Sequence, residues 1–208
     1  NINYAFKTNR IKHSKPTLED NDAIAAYGII RSCNIATGDT VNKFVRTFSN
    51  FIGKKFGVAT NSGTSALHIA LRALGIKEGD EVIIPSYVCG SVLNSVNYCR
   101  ATPIIADINE DCNLSLEDAK KKITSSTKAI ILPHMFGKPS SETEKFMKLD
   151  IPIIEDCALS VGAEHNNRKV GSFGDISIFS FYATTVMTTG FGGRLLTNND
   201  NITRKAND

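Results

Sequence analysis

From about residue 57 onward, short apolar runs alternate with stretches whose apolar residues recur at helical spacing. The runs predict strands over 57–60, 81–85, 103–107, 128–133, 151–156, 176–181 and 193–197. The intervening stretches predict helices over 65–74, 91–98, 115–122 and 141–148. Most of the runs are continuous Ile/Val/Leu segments, the pattern of strands buried on both faces of a parallel sheet. Strand–helix alternation of this kind predicts an α/β fold, a three-layer sandwich around a mostly parallel central sheet. The first fifty residues read differently. Thr17-Leu-Glu-Asp20 after Pro16 predicts a capped helix start, and Val41, Phe44, Val45, Phe48 and Ile52 mark a second helix that Gly53 ends. The two are expected to form an N-terminal helical arm, 1–55, packed on a sheet domain, 56–208, with the Phe stripe serving as core.

Composition narrows the function classes. Of 208 residues, 41% are hydrophobic and 22% charged, which fits a folded core and excludes a disordered chain. The net charge of +3 comes from 24 basic and 21 acidic residues spread along the chain, without the basic stripe of a nucleic-acid binder. No apolar run approaches the roughly 20 residues of a membrane span. Asn1-Ile-Asn-Tyr lacks the basic start and apolar stretch of a secretory signal, and without Met at position 1 this end is expected to have been trimmed. Cys33, Cys89, Cys99, Cys112 and Cys157 are an odd set without CxxC spacing. Reduced thiols, no metal site and a cytoplasmic protein are expected.

Three segments at strand ends are candidates for chemistry, because ligands of open α/β sheets sit beyond the carboxyl ends of the strands. Asn61-Ser-Gly-Thr-Ser-Ala66 follows a strand and opens a helix, so free N–H groups and the helix dipole suit a phosphate there; ordinary N-capping explains the same residues. It matches neither the P-loop nor GxGxxG. Glu155-Asp156 closes a buried apolar strand, where a carboxylate needs a partner: a cationic ring nitrogen, a metal or a neighbouring Arg. Asp107 poses the same question. Between Gly171 and Gly193, a strand ending in Ser180-Phe181 runs through small residues into a glycine-rich turn, whose hydroxyls suit an anion or simply a turn.

These segments occur in order with Lys15-Pro16, Thr37-Gly38, Gly79-Asp-Glu-Val-Ile-Ile-Pro-Ser86, Ala101-Thr-Pro, Thr127-Lys-Ala-Ile, Pro133-His-Met-Phe-Gly137 and Val170-Gly-Ser-Phe-Gly-Asp175. Jointly they resemble the DegT/DnrJ/StrS family of pyridoxal-phosphate-dependent sugar aminotransferases, which have the aspartate aminotransferase (type I) fold. The resemblance implies that Gly63, Thr64 and Ser65 cradle the cofactor phosphate, with a further hydroxyl from Ser180. It implies that Asp156 pairs with the protonated pyridine nitrogen and keeps the ring an electron sink. His68 and His134 fall outside the family's catalytic positions.

The chain departs from the family pattern at the reacting end. Thr185 stands where the Schiff-base lysine belongs, and a hydroxyl is neither a covalent anchor nor a useful base near neutrality. Cys89 replaces a stacking aromatic ring, Leu159 the Gln that meets the cofactor's phenolic oxygen, and Phe191 an acidic residue. Family members are nearly twice as long, so an incomplete large domain is expected, with the C-terminal small domain absent, on a second polypeptide or lost. The expectation is an aminotransferase-like protein of polysaccharide or deoxyamino-sugar biosynthesis without independent transaminase activity. Pyridoxal or pyridoxamine 5′-phosphate would bind weakly and non-covalently. The expected partners are a nucleotide sugar and either a second copy or a chain supplying the missing half. The alternatives are a deoxysugar dehydratase-like enzyme, a split aminotransferase completed in trans, and a cofactor-free nucleotide-sugar binding module.

Overall fold

The computed structural model describes residues 14–208; the reading of the first residues lies outside that range. One compact unit ends at Ile35 and the other spans Ala36–Asp208. The first holds helix α1 (Asp20–Ser32). Its start lies at Glu19 rather than Thr17, because the Asp22 carboxylate accepts the Glu19 N–H at 2.9 Å.

The second unit opens with α2 (Asp39–Ile52), so the two helices expected to form one arm fall in different units. Helix α2 belongs with the sheet through its aromatic stripe, as expected for core. Phe48 meets Phe179 and Phe181 edge-on at centroid distances of 4.9 and 5.3 Å, and Ile52 is buried in the same cluster.

There follow β1 (Phe56–Thr60), α3 (Gly63–Ala73), β2 (Glu81–Pro85), α4 (Gly90–Tyr98), β3 (Thr102–Ala106), α5 (Leu116–Lys121) and β4 (Thr127–Pro133). After a 3₁₀ turn at Met135–Gly137 come α6 (Thr143–Phe146), β5 (Ile153–Asp156), the small hairpin β6 (Glu164–His165) and β7 (Arg168–Lys169), β8 (Ile176–Ser180), β9 (Gly193–Thr197) and α7 (Asp200–Asn207). Strand β5 starts two residues later than the apolar run predicts, after Pro152, which has no N–H to donate. Helix α6 is shorter than the predicted 141–148.

Seven strands form one sheet in the order β1-β9-β8-β5-β4-β2-β3. Pairing is parallel from β3 through β8, and β9 runs antiparallel to both of its neighbours. Alternate residues of single strands enter different cores: Val82, Ile84, Ile131 and Ile154 pack with Leu67 and Leu71 of α3, whereas Ile83, Ile130, Leu132 and Ile153 pack with Phe146. Burial on both faces explains the unbroken apolar runs. Each such Leu or Ile contributes about 1.5–3 kcal/mol by leaving water. The arrangement is the three-layer α/β fold expected from the sequence, and it brings the carboxyl ends of β1, β2, β4, β5 and β8 to one edge.

Candidate functional site

A cavity of about 370 Å³ opens at that edge. Ser62 begins it. Its Oγ accepts the Ser65 N–H at 3.1 Å and lies 3.0 Å from Ser65 Oγ, while its backbone carbonyl accepts from Thr60 Oγ1 at 2.9 Å. The cap therefore fixes α3 against β1 and leaves the N–H groups of Gly63 and Thr64, first in the helix, without intrahelical acceptors. Ser180, from the end of β8, packs against this cap: a Cβ at Gly63 would stand 2.9 Å from Ser180 Cβ. Ser180 Oγ accepts the Tyr182 N–H at 3.4 Å, so its own proton is free to meet an anion. These groups together form a phosphate-sized donor cluster on a helix dipole.

Asp156, half-buried at the end of β5, lines the same cavity and accepts the Ala158 N–H at 3.0 Å. Burial pushes its carboxyl above the ordinary value, against the pull of that N–H and of His134. A cation in the cavity would offset this cost. Gly63, Thr64, Cys89, Leu159 and Thr185 also line the cavity, while Ser65 does not and acts on it through Ser62.

The remaining polar groups are committed elsewhere. Thr185 Oγ1 lies 3.1, 2.8 and 2.9 Å from the carbonyl oxygens of Ser180, Tyr182 and Met187, so the hydroxyl that stands in the lysine position closes its own loop. Cys89 sits at the N-cap of α4, with its sulfur accepting from Ser91 Oγ at 3.2 Å. His134 contributes to the wall, but both ring nitrogens are taken: Nδ1 accepts the Ser140 N–H at 3.1 Å, which leaves the proton on Nε2 to be donated to Glu155 at 3.1 Å. Glu155 also accepts from the N–H groups of Gly171 and Gly174. His134, Glu155 and Cys157 lie within 4.8 Å of one another, a metal-like grouping. Neither imidazole nitrogen has a free lone pair, however, and burial pushes the Cys157 thiol well up. Among the described residues, no lysine or arginine lines the cavity.

The residues present fit the phosphate and the ring nitrogen of a pyridoxal-type cofactor, and do not fit its covalent attachment. The cradle is shaped for a close approach, since a Cβ at Gly193 would fall 2.1 Å from the Ser62 carbonyl oxygen. In the sequence Gly193 both ends a glycine-rich turn and begins a strand, and neither position places it against Ser62. Tyr182 and Phe191, edge-on at 5.4 Å, form part of the rim. Tyr182 carried no sequence signal of its own.

Residues 16–208 match the DegT/DnrJ/EryC1/StrS aminotransferase family. A GDP-perosamine synthase of Caulobacter vibrioides is 38% identical over 204 residues, 94% of this chain and 54% of that protein. The crystal structure of an aminotransferase from Psychrobacter cryohalolentis superposes with a TM-score of 0.87 at 33% identity, covering 92% of this chain and 50% of the other. A GDP-4-keto-6-deoxy-D-mannose-3-dehydratase of E. coli with bound hydrated PLP superposes at 0.86 and 27% identity, covering 92% and 52%. The chain spans about half the length of the relatives it matches. On a match over nearly all of its residues, the chain belongs to the DegT/DnrJ/EryC1/StrS aminotransferase family.

Proposed function

We propose that this chain is a cofactor-holding large-domain part of a sugar-nucleotide aminotransferase-like protein that has no transaminase activity of its own. The carrying observation is Thr185, whose hydroxyl is committed to three loop carbonyls in a cavity that no lysine enters among the described residues. Pyridoxal or pyridoxamine 5′-phosphate, when bound, supplies an electron-withdrawing ring. The N–H groups of Gly63 and Thr64 and the hydroxyls of Thr64 and Ser180 hold its phosphate. Asp156 orients the ring by keeping its nitrogen protonated. No group in the wall takes over the lysine's task of moving a proton, because both nitrogens of His134 are bonded. That commitment also weighs against a dehydratase-like reading.

The substrate class is a nucleotide-linked keto sugar, the setting is deoxyamino-sugar or polysaccharide biosynthesis, and the location is the cytoplasm. Among the described residues, no helix is long and apolar enough to cross a membrane. A partner subunit, a second copy of this chain or a different one, covers the open side of the site. Exposed aromatics at and beside its rim favour this reading: Phe191 is 75% exposed, and Phe136, next to the lining residue Met135, is 66% exposed. The test supplies pyridoxamine phosphate with a nucleotide 4-keto-6-deoxy sugar, and in a second arm pyridoxal phosphate with glutamate. No amino sugar and no change in cofactor form are expected, and turnover in either arm with this chain alone refutes the proposal.

A further inference from the structure

The polar groups of the cavity are unevenly placed. Donors gather at the Ser62–Thr64 cap and Ser180, and one carboxylate, Asp156, stands on the floor. The wall elsewhere is built from Leu67, Val88, Leu159, Ile178 and Phe191. Thr185 Oγ1 faces its own loop, and Ser91 Oγ is donated to Cys89. Thr184 and Tyr182 add neutral hydroxyls, which donate or accept with equal ease.

We infer that this cavity recognises a phosphate ester of a basic heteroaromatic ring by its two ends only, and accepts an aldehyde, amine, alcohol or methyl group on that ring without preference. The inference rests on the cofactor-holding role proposed above and goes beyond it, because it makes the chain a carrier of B6-type phosphates rather than a site selective for a reactive form. A preference for the aldehyde requires a nucleophilic amine, and a preference for the amine requires an anion or a free acceptor beside it. Asp156 is the only carboxylate in the described wall, and it serves the ring nitrogen. Binding strength then resides in the charge-assisted hydrogen bonds to phosphate and in the Asp156 pair, both common to every form.

The experiment measures the affinity of the native chain by equilibrium dialysis for pyridoxal, pyridoxamine, pyridoxine and 4-deoxypyridoxine 5′-phosphates. Pyridoxal without phosphate and phenyl phosphate, which lacks the ring nitrogen, serve as controls. The four phosphates are expected within about threefold of one another. Pyridoxal is expected about a hundredfold weaker or more, from loss of at least two charge-assisted hydrogen bonds, and phenyl phosphate about tenfold weaker or more. Pyridoxal phosphate binding more than about tenfold tighter than the other three, or becoming fixed to the native chain by borohydride, overturns the inference and leaves the cofactor-holding role standing. Either control binding as tightly as the four overturns the two-ended recognition. If none of the four binds, the cofactor-holding role falls together with the inference.

Discussion

Glu155 and Asp156 are consecutive on β5 and face opposite sides of the sheet, with opposite consequences for their protons. Glu155 is fully buried beside His134, Gly171 and Gly174, whereas Asp156 reaches the cavity with a single N–H donor from Ala158. Burial raises the Asp156 carboxyl above its ordinary 3.8. A raised acid contributes stability below its unfolded value and loses that contribution as pH rises, so near neutrality the charged Asp156 costs the ligand-free fold. Asp156→Asn keeps an acceptor for Ala158 and removes the charge. The ligand-free variant is expected to melt higher than the native chain, while its affinity for pyridoxamine phosphate falls about tenfold or more. Melting curves and dialysis on the same two proteins check both halves, and an unchanged affinity would remove Asp156 from the ring-binding role.

For Glu155 the balance reverses. Burial alone would raise its carboxyl, but donation from His134, Gly174 and Gly171 outweighs burial and holds it below the ordinary 4.5. Its contribution is therefore present above that value and is lost as pH falls through the lower folded one. Glu155→Gln offers an amide where three donors converge, with Lys54 also nearby. A loss of about 3–5 kcal/mol is expected, as for one partner removed from a buried charged network. The acid limb of the melting temperature against pH should flatten in the variant. A melting temperature unchanged at pH 7 would show that the network is not what holds the Gly171–Gly174 turn.

What was readable in the sequence follows from range. The bounds of β2 and β9 are visible because each apolar run is closed by its own turn residues, and the α3 cap because Ser62, Gly63 and Ser65 act within four positions. The residues around the cavity were legible as a pattern of motifs at strand ends. Contacts between distant segments were not. Nothing near Gly193 indicates that it lies against Ser62, and nothing near Thr185 tells whether its hydroxyl turns to the cavity or to its loop. The β6–β7 hairpin carries a local signal in Asn166-Asn167, which both adopt positive φ, 50° and 59°, the conformation of a two-residue hairpin turn.

The position of the Thr185 hydroxyl yields a stability test separate from chemistry. Thr185→Val keeps the branched shape and removes the donor shared among Ser180, Tyr182 and Met187. These loop carbonyls border solvent, so the expected loss is about 0.5–1.5 kcal/mol, one net hydrogen bond. Affinity for pyridoxamine phosphate is expected to stay within about twofold, since the hydroxyl faces away from the ligand. A much larger drop in affinity would place that hydroxyl on the ligand and contradict the loop-closing role.

Arg194 provides the sharpest stability prediction, because it places a charge where the fold has little to offer it. On β9 it is paired with Ala59 and Phe179 and is 1% exposed. Its guanidinium lies 4.2 Å from the centre of the Phe44 ring and 5.9 Å from that of Phe48. Nε and Nη1 have no hydrogen-bond partner among the described residues, and burial lowers its pKa to about 10. The stack on phenylalanine returns about 0.5–2 kcal/mol. Desolvating a cation costs several kcal/mol and is repaid only by good geometry with an anion, so apolar replacement of such groups is often stabilising by about 1–4 kcal/mol. Arg194→Met fills similar space with no charge to strand. Its melting temperature is expected to rise by several degrees, at about 2–4 °C per kcal/mol for a chain of this size. A fall instead would mean that the aromatic stack, or an anion brought by another segment, outweighs the burial cost; a double variant with Phe44→Leu separates those two causes, since only the stack depends on the ring.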